Sequence, residues 1–351
     1  MTQAPQHLTW SEYEGRECIR IRGLSIRDVR DPSRLAVFPD ELVKAGVDIT
    51  SFQPIAGSIV ADGKDLCFVP RFPFVAGLEY ALVLPDPQRV LHIRRPARAG
   101  VATTVVEAMY PTAGAVPFNL LKFYIHFSAP MSEGWSTRAV HVHRADTGKL
   151  LVGVFHVGRS ELWDRGRRRL TLLLDPGRIK RGLGPHEAEG YPLNKGVPVT
   201  LTIDSEFRDA AGLPLRESFT RRYNVGPAAR RHVDPKRWKY VWPAAGSTDP
   251  VSVKFDRPLD RALLEHCLQV ATRSGAAVPG AIAVGKAERL WQFRPEKPWR
   301  AGSYKLAVDP KLEDLAGNSL VRVFDRDMTR AREAPASNSP TIIPFTCAVA
   351  R

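Results

Sequence analysis

Apolar and polar residues alternate along this chain in short runs. One arrangement, two such runs joined by a connector, occurs twice. In residues 290–308 (LWQFRPEKPWRAGSYKLAV) two alternating segments flank a connector rich in Pro and Gly, and residues 66–84 (LCFVPRFPFVAGLEYALVL) repeat the arrangement. Alternation with a period of two is typical of strands, and Pro and Gly are typical of turns. Both stretches therefore predict a strand, a rigid turn and a second strand at the corner of a β-sandwich. The matching positions are Phe68, Pro70, Pro73, Phe74, Ala76 and Gly77 with Phe293, Pro295, Pro298, Trp299, Ala301 and Gly302.

A second set of repeats divides the chain into units. YPTAGAVPFNLLKFYIHFSAPM at 110–131 shares its Pro, Gly and Phe-x-x-Pro positions with VWPAAGSTDPVSVKFDRPL at 241–259, and both halves end in a predicted type I turn, Asp209–Gly212 or Asp314–Gly317. The sequence therefore predicts an all-β protein of three tandem antiparallel β-sandwich units. We refer to them as the first, second and third units. Their predicted extents are 1–98, 103–228 with an inserted loop near 177–195, and 232–351 with a C-terminal strand.

This set of strand and turn positions resembles the bacterial Ig-like domains of the surface-layer-protein (SbsA-like) type, best over residues 104–330. The resemblance implies an Ig-like sandwich and a non-catalytic role in cell-envelope or extracellular proteins. The first unit lacks the opening shared by the other two, so we expect a truncated or diverged copy there.

Composition agrees with a globular protein and adds little about location. Of 351 residues 44% are hydrophobic and 25% charged, and we find no apolar run near the roughly 18 residues of a membrane span. The first residues lack the basic start and apolar stretch of a signal peptide. The envelope location therefore rests on the resemblance, and a cytoplasmic location stays open.

The net charge of +14 favours anionic partners, and one predicted hairpin tip concentrates it. Arginine forks beside an aromatic ring suit an acidic polymer or glycan, by bidentate contacts and stacking. The alternative is a solvated hairpin with its tryptophan tucked over the sheet edge. Nucleic acid is disfavoured because helix-turn-helix, zinc-finger and RNP patterns are absent. The candidate binding residues are Trp163, Arg165, Arg167, Arg168 and Arg169, with Arg178, Lys180 and Arg181 just beyond.

Histidine and cysteine offer weaker chemistry. His141 and His143 share one face of a predicted strand and could ligate a metal, or could be ordinary histidines opposite a core face of Val140 and Val142. Aligning Gly148 with Gly275 would instead turn the histidines inward, since a shift of one residue exchanges the two faces. The disulfides Cys18–Cys67 and Cys267–Cys347 are possible in an oxidising compartment; otherwise the thiols are free.

Motifs of nucleophilic, nucleotide-binding and metalloprotease sites (GxSxG, Walker, GxGxxG, HExxH) are missing. We therefore expect a non-enzymatic protein without a cofactor, acting as a structural scaffold or as a surface interaction or adhesion module. One alternative is a binder of anionic polymers or glycans through the basic hairpin tip. A second is an accessory region of a larger envelope enzyme.

Overall fold

The structure is a computed structural model that describes residues 7–24, 35–44, 52–85, 88–96, 100–157, 160–329 and 339–349. Its elements are nearly all strands in antiparallel sheets, which confirms the predicted all-β class. The predicted end of the first unit, residue 98, lies outside the described residues. Within them, no helix has the length and apolar character needed to cross a bilayer.

The strands of each unit follow one another closely along the chain. The first unit contains β1 (His7–Tyr13), β2 (Arg16–Arg22), β3 (Ala36–Pro39), α1 (Asp40–Lys44), β4 (Gly57–Asp62), β5 (Asp65–Pro70), β6 (Glu79–Pro85) and β7 (Gln88–Arg94). The second contains β8 (Val106–Tyr110), β9 (Ala115–Pro117), β10 (Lys122–Phe127), α2 (Ser136–Ala139), β11 (Val140–Arg144), β12 (Leu162–Trp163), β13 (Arg169–Leu173), α3 (Pro176–Ile179), α4 (Gly184–Glu189), β14 (Val199–Ile203) and β15 (Phe219–Gly226). The third contains β16 (Lys239–Val241), β17 (Val251–Lys254), β18 (Leu268–Thr272), β19 (Gly280–Val284), β20 (Leu290–Pro295), β21 (Gly302–Val308) and β22 (Thr341–Cys347).

The sheets form three consecutive pairs with the same strand order. The first unit has β1-β2-β5-β4 and β3-β6-β7, and the third has β16-β17-β20-β19 and β18-β21-β22. The second has β12-β13-β10-β8 and β11-β14-β15-β9, which is the same order with β9 added parallel to β15. When the strands of each unit are lettered A to G, this is the ABED and CFG arrangement of a constant-type Ig fold. The exact domain boundaries stay a prediction.

The first unit carries all seven strands, so of the two alternatives, a truncated or a diverged copy, its described strands agree with the diverged one. Its strands A and B are joined by a tight hairpin in which Tyr13 pairs with Arg16. The two turn residues, Glu14 and Gly15, both have positive φ (49° and 73°), as a type I′ turn requires. A two-residue hairpin leaves no room for the Pro/Gly opening of the other units, so only the sequence has diverged.

The two repeated corners have matching aromatic contacts. The ring centroids of Phe68 and Phe74 are 6.1 Å apart in the first unit, and those of Phe293 and Trp299 are also 6.1 Å apart in the third. In each case the chain passes from one sheet of the pair to the other between these rings. The predicted strand–turn–strand corner is therefore confirmed in both places.

A tyrosine fixes each of these corners. The Val75 amide donates to the Tyr80 hydroxyl at 2.6 Å, and the Tyr304 hydroxyl donates to the Arg300 carbonyl at 3.1 Å. A tyrosine that bonds backbone a few residues upstream at the E–F connection is a recurrent feature of Ig-like sandwiches. The second unit has Val199 in this position, shortly after its inserted segment.

The core runs through more than one pair of sheets. One continuous cluster of buried apolar side chains joins the first and second units, from Ile19 to Val225, and a separate cluster from Val233 to Cys347 fills the third. The first two units therefore share buried surface, whereas the third has a core of its own.

The four cysteines are free thiols. Cys18 and Cys67 lie on neighbouring strands and share one face, since Arg20 is the partner of Cys67. The predicted Cys267–Cys347 alternative is wrong. Leu268, next to Cys267, is level with Thr341, and Cys347 lies six residues farther along β22, about 20 Å away. A disulfide needs Cα atoms within about 7 Å.

Candidate functional site

The tryptophan of the predicted basic tip is part of the core. Trp163 is buried beside Phe127, and its Nε1 donates to a carboxylate oxygen of Glu161 at 2.7 Å. Its ring is therefore unavailable as an exposed stacking surface. The alternative interpretation placed the tryptophan over the sheet edge, whereas the structure packs it among buried core residues.

The arginines of the tip divide into two groups. The Arg167 guanidinium lies 4.7 Å from the Phe72 ring of the first unit, and that of Arg169 lies 5.7 Å from the Tyr124 ring. Arg165 and Arg168 are exposed. Anion binding at this turn stays a prediction, and it now depends mainly on the two exposed guanidinium groups.

The three basic residues beyond the tip have structural contacts. Arg178 is buried and donates to the carbonyls of Gly153 (2.7 Å) and Gly190 (3.0 Å), so it holds the inserted segment against the sandwich. Lys180 lies 4.7 Å from the Phe324 ring, and Arg181 pairs with Asp325 at 3.3 Å. These last two side chains reach the third unit.

The register of β11 settles the orientation of the paired histidines. Val140 pairs with Ile203 and Leu268 with Val308, which makes Val140 the equivalent of Leu268. Val140 and Val142 are buried, so His141 and His143 lie on the outer face with ring centroids 6.1 Å apart. No described carboxylate or thiol completes a set of three metal ligands with them.

One other group of possible metal ligands occurs in the described residues, and the sequence did not suggest it. Ligand atoms of Asp40, Glu79 and His92 all lie within 4.8 Å of one another in the first unit. Asp40 and His92 already form a 2.5 Å hydrogen bond, which accounts for their approach without an ion.

A cleft of about 740 Å³ lies in the second unit. It opens between the two sheets of the sandwich, beside strand C (β11) and the edge next to strand E (β13). The walls are mostly apolar, and the rim adds a few polar groups, an arrangement typical of small-molecule sites. Wall residues include Val140, Val142, Val154, Leu170 and Leu172; Phe52 and Gln53 of the first unit reach its edge.

An insertion relative to the third unit creates this cleft. The chain takes 28 residues from Val142 to Leu170 but only 21 between the equivalent Val270 and Trp291. In the third unit β19 pairs with β20 over five consecutive residues. In the second unit the same edge is broken into β12 and a separate piece around Phe155, which pairs with Leu174.

Apolar side chains are left exposed around the opening. Val152 is 82% exposed, and Leu150, Val157 and Leu162 are between 41% and 49% exposed. Inside, the Glu161 carboxylate is buried and accepts from the Ser136 amide at 2.7 Å as well as from Trp163. The cleft thus has an apolar rim and one negative group in its wall.

The contacts between consecutive units are polar as well as apolar. We call the contact of the first and second units the first joint and that of the second and third units the second joint. In the second joint Lys122 lies 2.9 Å from Asp260 and 3.0 Å from Glu313, and the Tyr124 hydroxyl donates to Asp260 at 2.8 Å. Burial lowers the pKa of Lys122, but the carboxylates more than offset it, so the pKa is raised and the ammonium stays charged.

Two further carboxylates belong to the second joint. Glu288 accepts from the Thr112 amide at 2.9 Å and from its hydroxyl at 2.6 Å. Asp325, fully buried, accepts from Arg230 at 2.8 Å and from the Asn119 amide group at 3.0 Å. Buried charges with several partners of this kind fix relative orientation, because displacement would leave them unpaired.

Comparison with known proteins finds only distant structural likenesses. Neither a protein-family model nor a curated protein matches the sequence. Similar solved structures include native alpha-2-macroglobulin from Escherichia coli (10% identity, TM-score 0.23, 71% of this chain and 72% of that one). Others are chicken CNTN1 FN1–FN3 domains (11%, 0.19, 98% and 99%) and surface-layer protein SbsC, domains 4–9 (8%, 0.20, 99% and 48%). At these scores the likeness carries no statement about function, and the Ig-like assignment rests on the strand order.

Proposed function

We propose that this protein is a non-catalytic scaffold or interaction module that holds its Ig-like units at fixed angles. The observation that supports the proposal is the second joint, where Asp260, Glu288 and Asp325 are buried and accept hydrogen bonds from Tyr124, Thr112 and Asn119 of the second unit. Flexible linkers between Ig-like units do not need such contacts. Fixed angles would let surface loops on different units meet one partner together.

Distance measurements between spin labels test this rigidity. Labels on exposed positions of the first and third units should give a narrow distance distribution, since the four native thiols are buried and stay unlabelled. The double variant Glu288→Ala/Asp325→Ala should broaden it. A matched Glu217→Ala/Asp146→Ala variant, with both changes at exposed ion pairs, should leave it narrow. A broad distribution in the unmodified protein would contradict the proposal.

A second candidate function is binding of an acidic polymer or glycan by the exposed arginines of the basic turn. Asp164 accepts from the Arg168 and Arg169 amides at 2.8 and 3.0 Å, so the turn presents Arg165 and Arg168 in a fixed conformation. Arg165→Ala/Arg168→Ala should lower the salt concentration that elutes the protein from heparin. The exposed pair Lys297→Ala/Arg300→Ala is the control, and equal elution of both variants would remove this candidate. An envelope or extracellular location stays a prediction.

A further inference from the structure

We propose that the cleft of the second unit binds one long-chain fatty acid, with the acyl chain between the sheets and the carboxylate at the rim. This goes beyond the scaffold role and does not depend on it. The cleft and its exposed apolar rim occur where the second unit departs from the strand pattern of the third.

The walls favour a linear apolar chain. Facing sheets of a sandwich lie about 10 Å apart, and side chains from both occupy most of that distance. Here the valines of β11 face the leucines of β13 across the opening. A space bounded by two facing sheets at this spacing suits a single acyl chain better than a fused ring system. The volume of about 740 Å³ lies within the range of small-molecule sites, roughly 300–1,000 Å³.

Backbone pairing argues against an added peptide strand. Strand addition needs a row of free N–H and C=O groups. Along β11 the Val140 amide already donates to Ser136, and the Val142 carbonyl accepts from the Leu151 amide at 2.8 Å. On the opposite wall the Leu173 carbonyl accepts from the His156 amide at 2.8 Å. An acyl chain needs none of these groups.

The charges orient the ligand. Glu161 is buried in the wall, and its negative charge repels a carboxylate from that part of the cleft. His156 and the amide of Gln53 lie among the rim residues and can donate hydrogen bonds to an anionic head group. The net charge of +14 also favours approach of an anion. The head group is therefore placed at the rim and the chain inside.

Binding of an acyl chain would account for the exposed apolar residues at the rim. Val152 is 82% exposed although it carries no polar group, and the neighbouring Leu150 and Leu162 are nearly half exposed. Exposed apolar groups clustered around one opening mark a binding surface more often than scattered ones do. A bound chain that extends to the rim would cover part of this surface.

Fluorescence of cis-parinaric acid, a linear polyene fatty acid, measures binding directly. We expect saturable binding of one molecule per chain and displacement by palmitate. Val142→Phe fills the cleft and should weaken binding at least tenfold while the protein stays folded, as monitored by thermal unfolding. Val152→Asp changes only the rim and should weaken binding severalfold. Val241→Asp, at a 64% exposed position of the third unit, should bind like the unmodified protein.

Three results would overturn the proposal. They are absence of saturable binding, unchanged affinity in a folded Val142→Phe variant, and equal losses in Val152→Asp and Val241→Asp. If Val142→Phe does not fold, the comparison of the two Asp variants decides. Binding to phosphatidylcholine–phosphatidylglycerol vesicles without uptake of free palmitate would assign the rim to a membrane surface. A dimer that Val152→Asp dissociates, without fatty-acid binding, would assign it to a second copy of the chain.

Discussion

The two joints use the same positions of the repeat with their charges exchanged. The turn before strand E supplies Arg167 to the first joint and Glu288 to the second, with φ of 54° and 52°. The segment after strand B supplies Glu133 to the first joint and Arg261 to the second. Each acid interacts electrostatically with the base of its own joint. The fold therefore fixes which positions of the repeat contact the neighbouring unit, and the residue at each position determines the sign of the charge there.

The joints differ in how well the acid is paired. Glu288 receives hydrogen bonds from both the amide and the hydroxyl of Thr112. Neither carboxylate oxygen of Glu133 has a hydrogen bond of normal geometry, although both are buried. Burial and the neighbouring Glu161 charge raise the pKa of Glu133 to about 7, against smaller opposing effects of the Ala56 backbone and two arginines. The carboxylate of Glu288 in the second joint thus has hydrogen-bond donors. The ionised form of Glu133 in the first joint lacks them and is destabilised by burial.

Removing a paired acid of the second joint should give the largest loss of stability. Asp260→Ala leaves the Lys122 ammonium and Tyr124 hydroxyl without their nearest acceptor in a buried setting. We expect the free energy of unfolding to fall by about 3 kcal/mol, as measured by urea denaturation. Glu217→Ala, in an exposed pair with Arg216, should change nothing measurable. Equal effects of the two changes would show that the second joint contributes no stability.

In the first joint, ionisation of Glu133 should destabilise the folded protein, so stability there should depend on pH. The folded-state pKa of Glu133 is about 7 against 4.5 ordinarily, so the folded protein holds more protons between these values. Stability should therefore fall by about 3 kcal/mol as the pH rises from 4.5 to 7, with little further change above.

Glu133→Gln should remove this part of the pH dependence. Compared with the unmodified protein, the variant gains relative stability between pH 5 and pH 8, which urea denaturation at the two values detects. The exposed Glu217→Gln variant is the control. A stability difference between Glu133→Gln and the unmodified protein that does not vary with pH would contradict the assignment.

We expect a smaller loss of stability from replacing the glycine at the end of the predicted Asp209 turn. Gly212 has a φ of 85°, and a Cβ there would lie 2.1 Å from the Ala76 carbonyl oxygen across the first joint. Gly212→Ala should cost about 2 kcal/mol, from the left-handed backbone and the clash together. Gly148→Ala shares the positive φ but meets open space, so it isolates the backbone cost. Equal melting temperatures of the two variants would rule out the contact as a contributor.

The smallest effects should come from the corner tyrosines. Tyr80→Phe leaves the Val75 amide without its acceptor in the core and should cost about 1–2 kcal/mol in thermal unfolding. Tyr304→Phe removes a more exposed bond and should cost less than 1 kcal/mol. The reverse order would contradict the greater burial of the first corner.

The features predicted correctly are those that repeat locally. The two corners and the two Asp–Gly turns depend on residues within a few positions of one another. In both turns the glycine amide donates to the aspartate carbonyl at 3.0 Å. The first unit, predicted as a truncated or diverged copy, has a two-residue hairpin between its first two strands where the other units have the Pro/Gly opening. The sequence does differ at the cleft, since the second unit has seven more residues than the third between the equivalent strands. A difference in length alone does not predict a cavity.

The sequence by itself determined the all-β class, the corners and the turns, because alternation, proline and glycine act over short distances. Tertiary structure decided which basic residues are accessible. Arg167 and Arg178 belong to one charged cluster in the sequence, yet Arg167 contacts the first unit and Arg178 is buried between the inserted segment and the sandwich. It also decided the facing of His141 and His143, since a register is set by the neighbouring strand. Burial, pairing and cavities arise between residues far apart in the chain, and no local pattern encodes those distances.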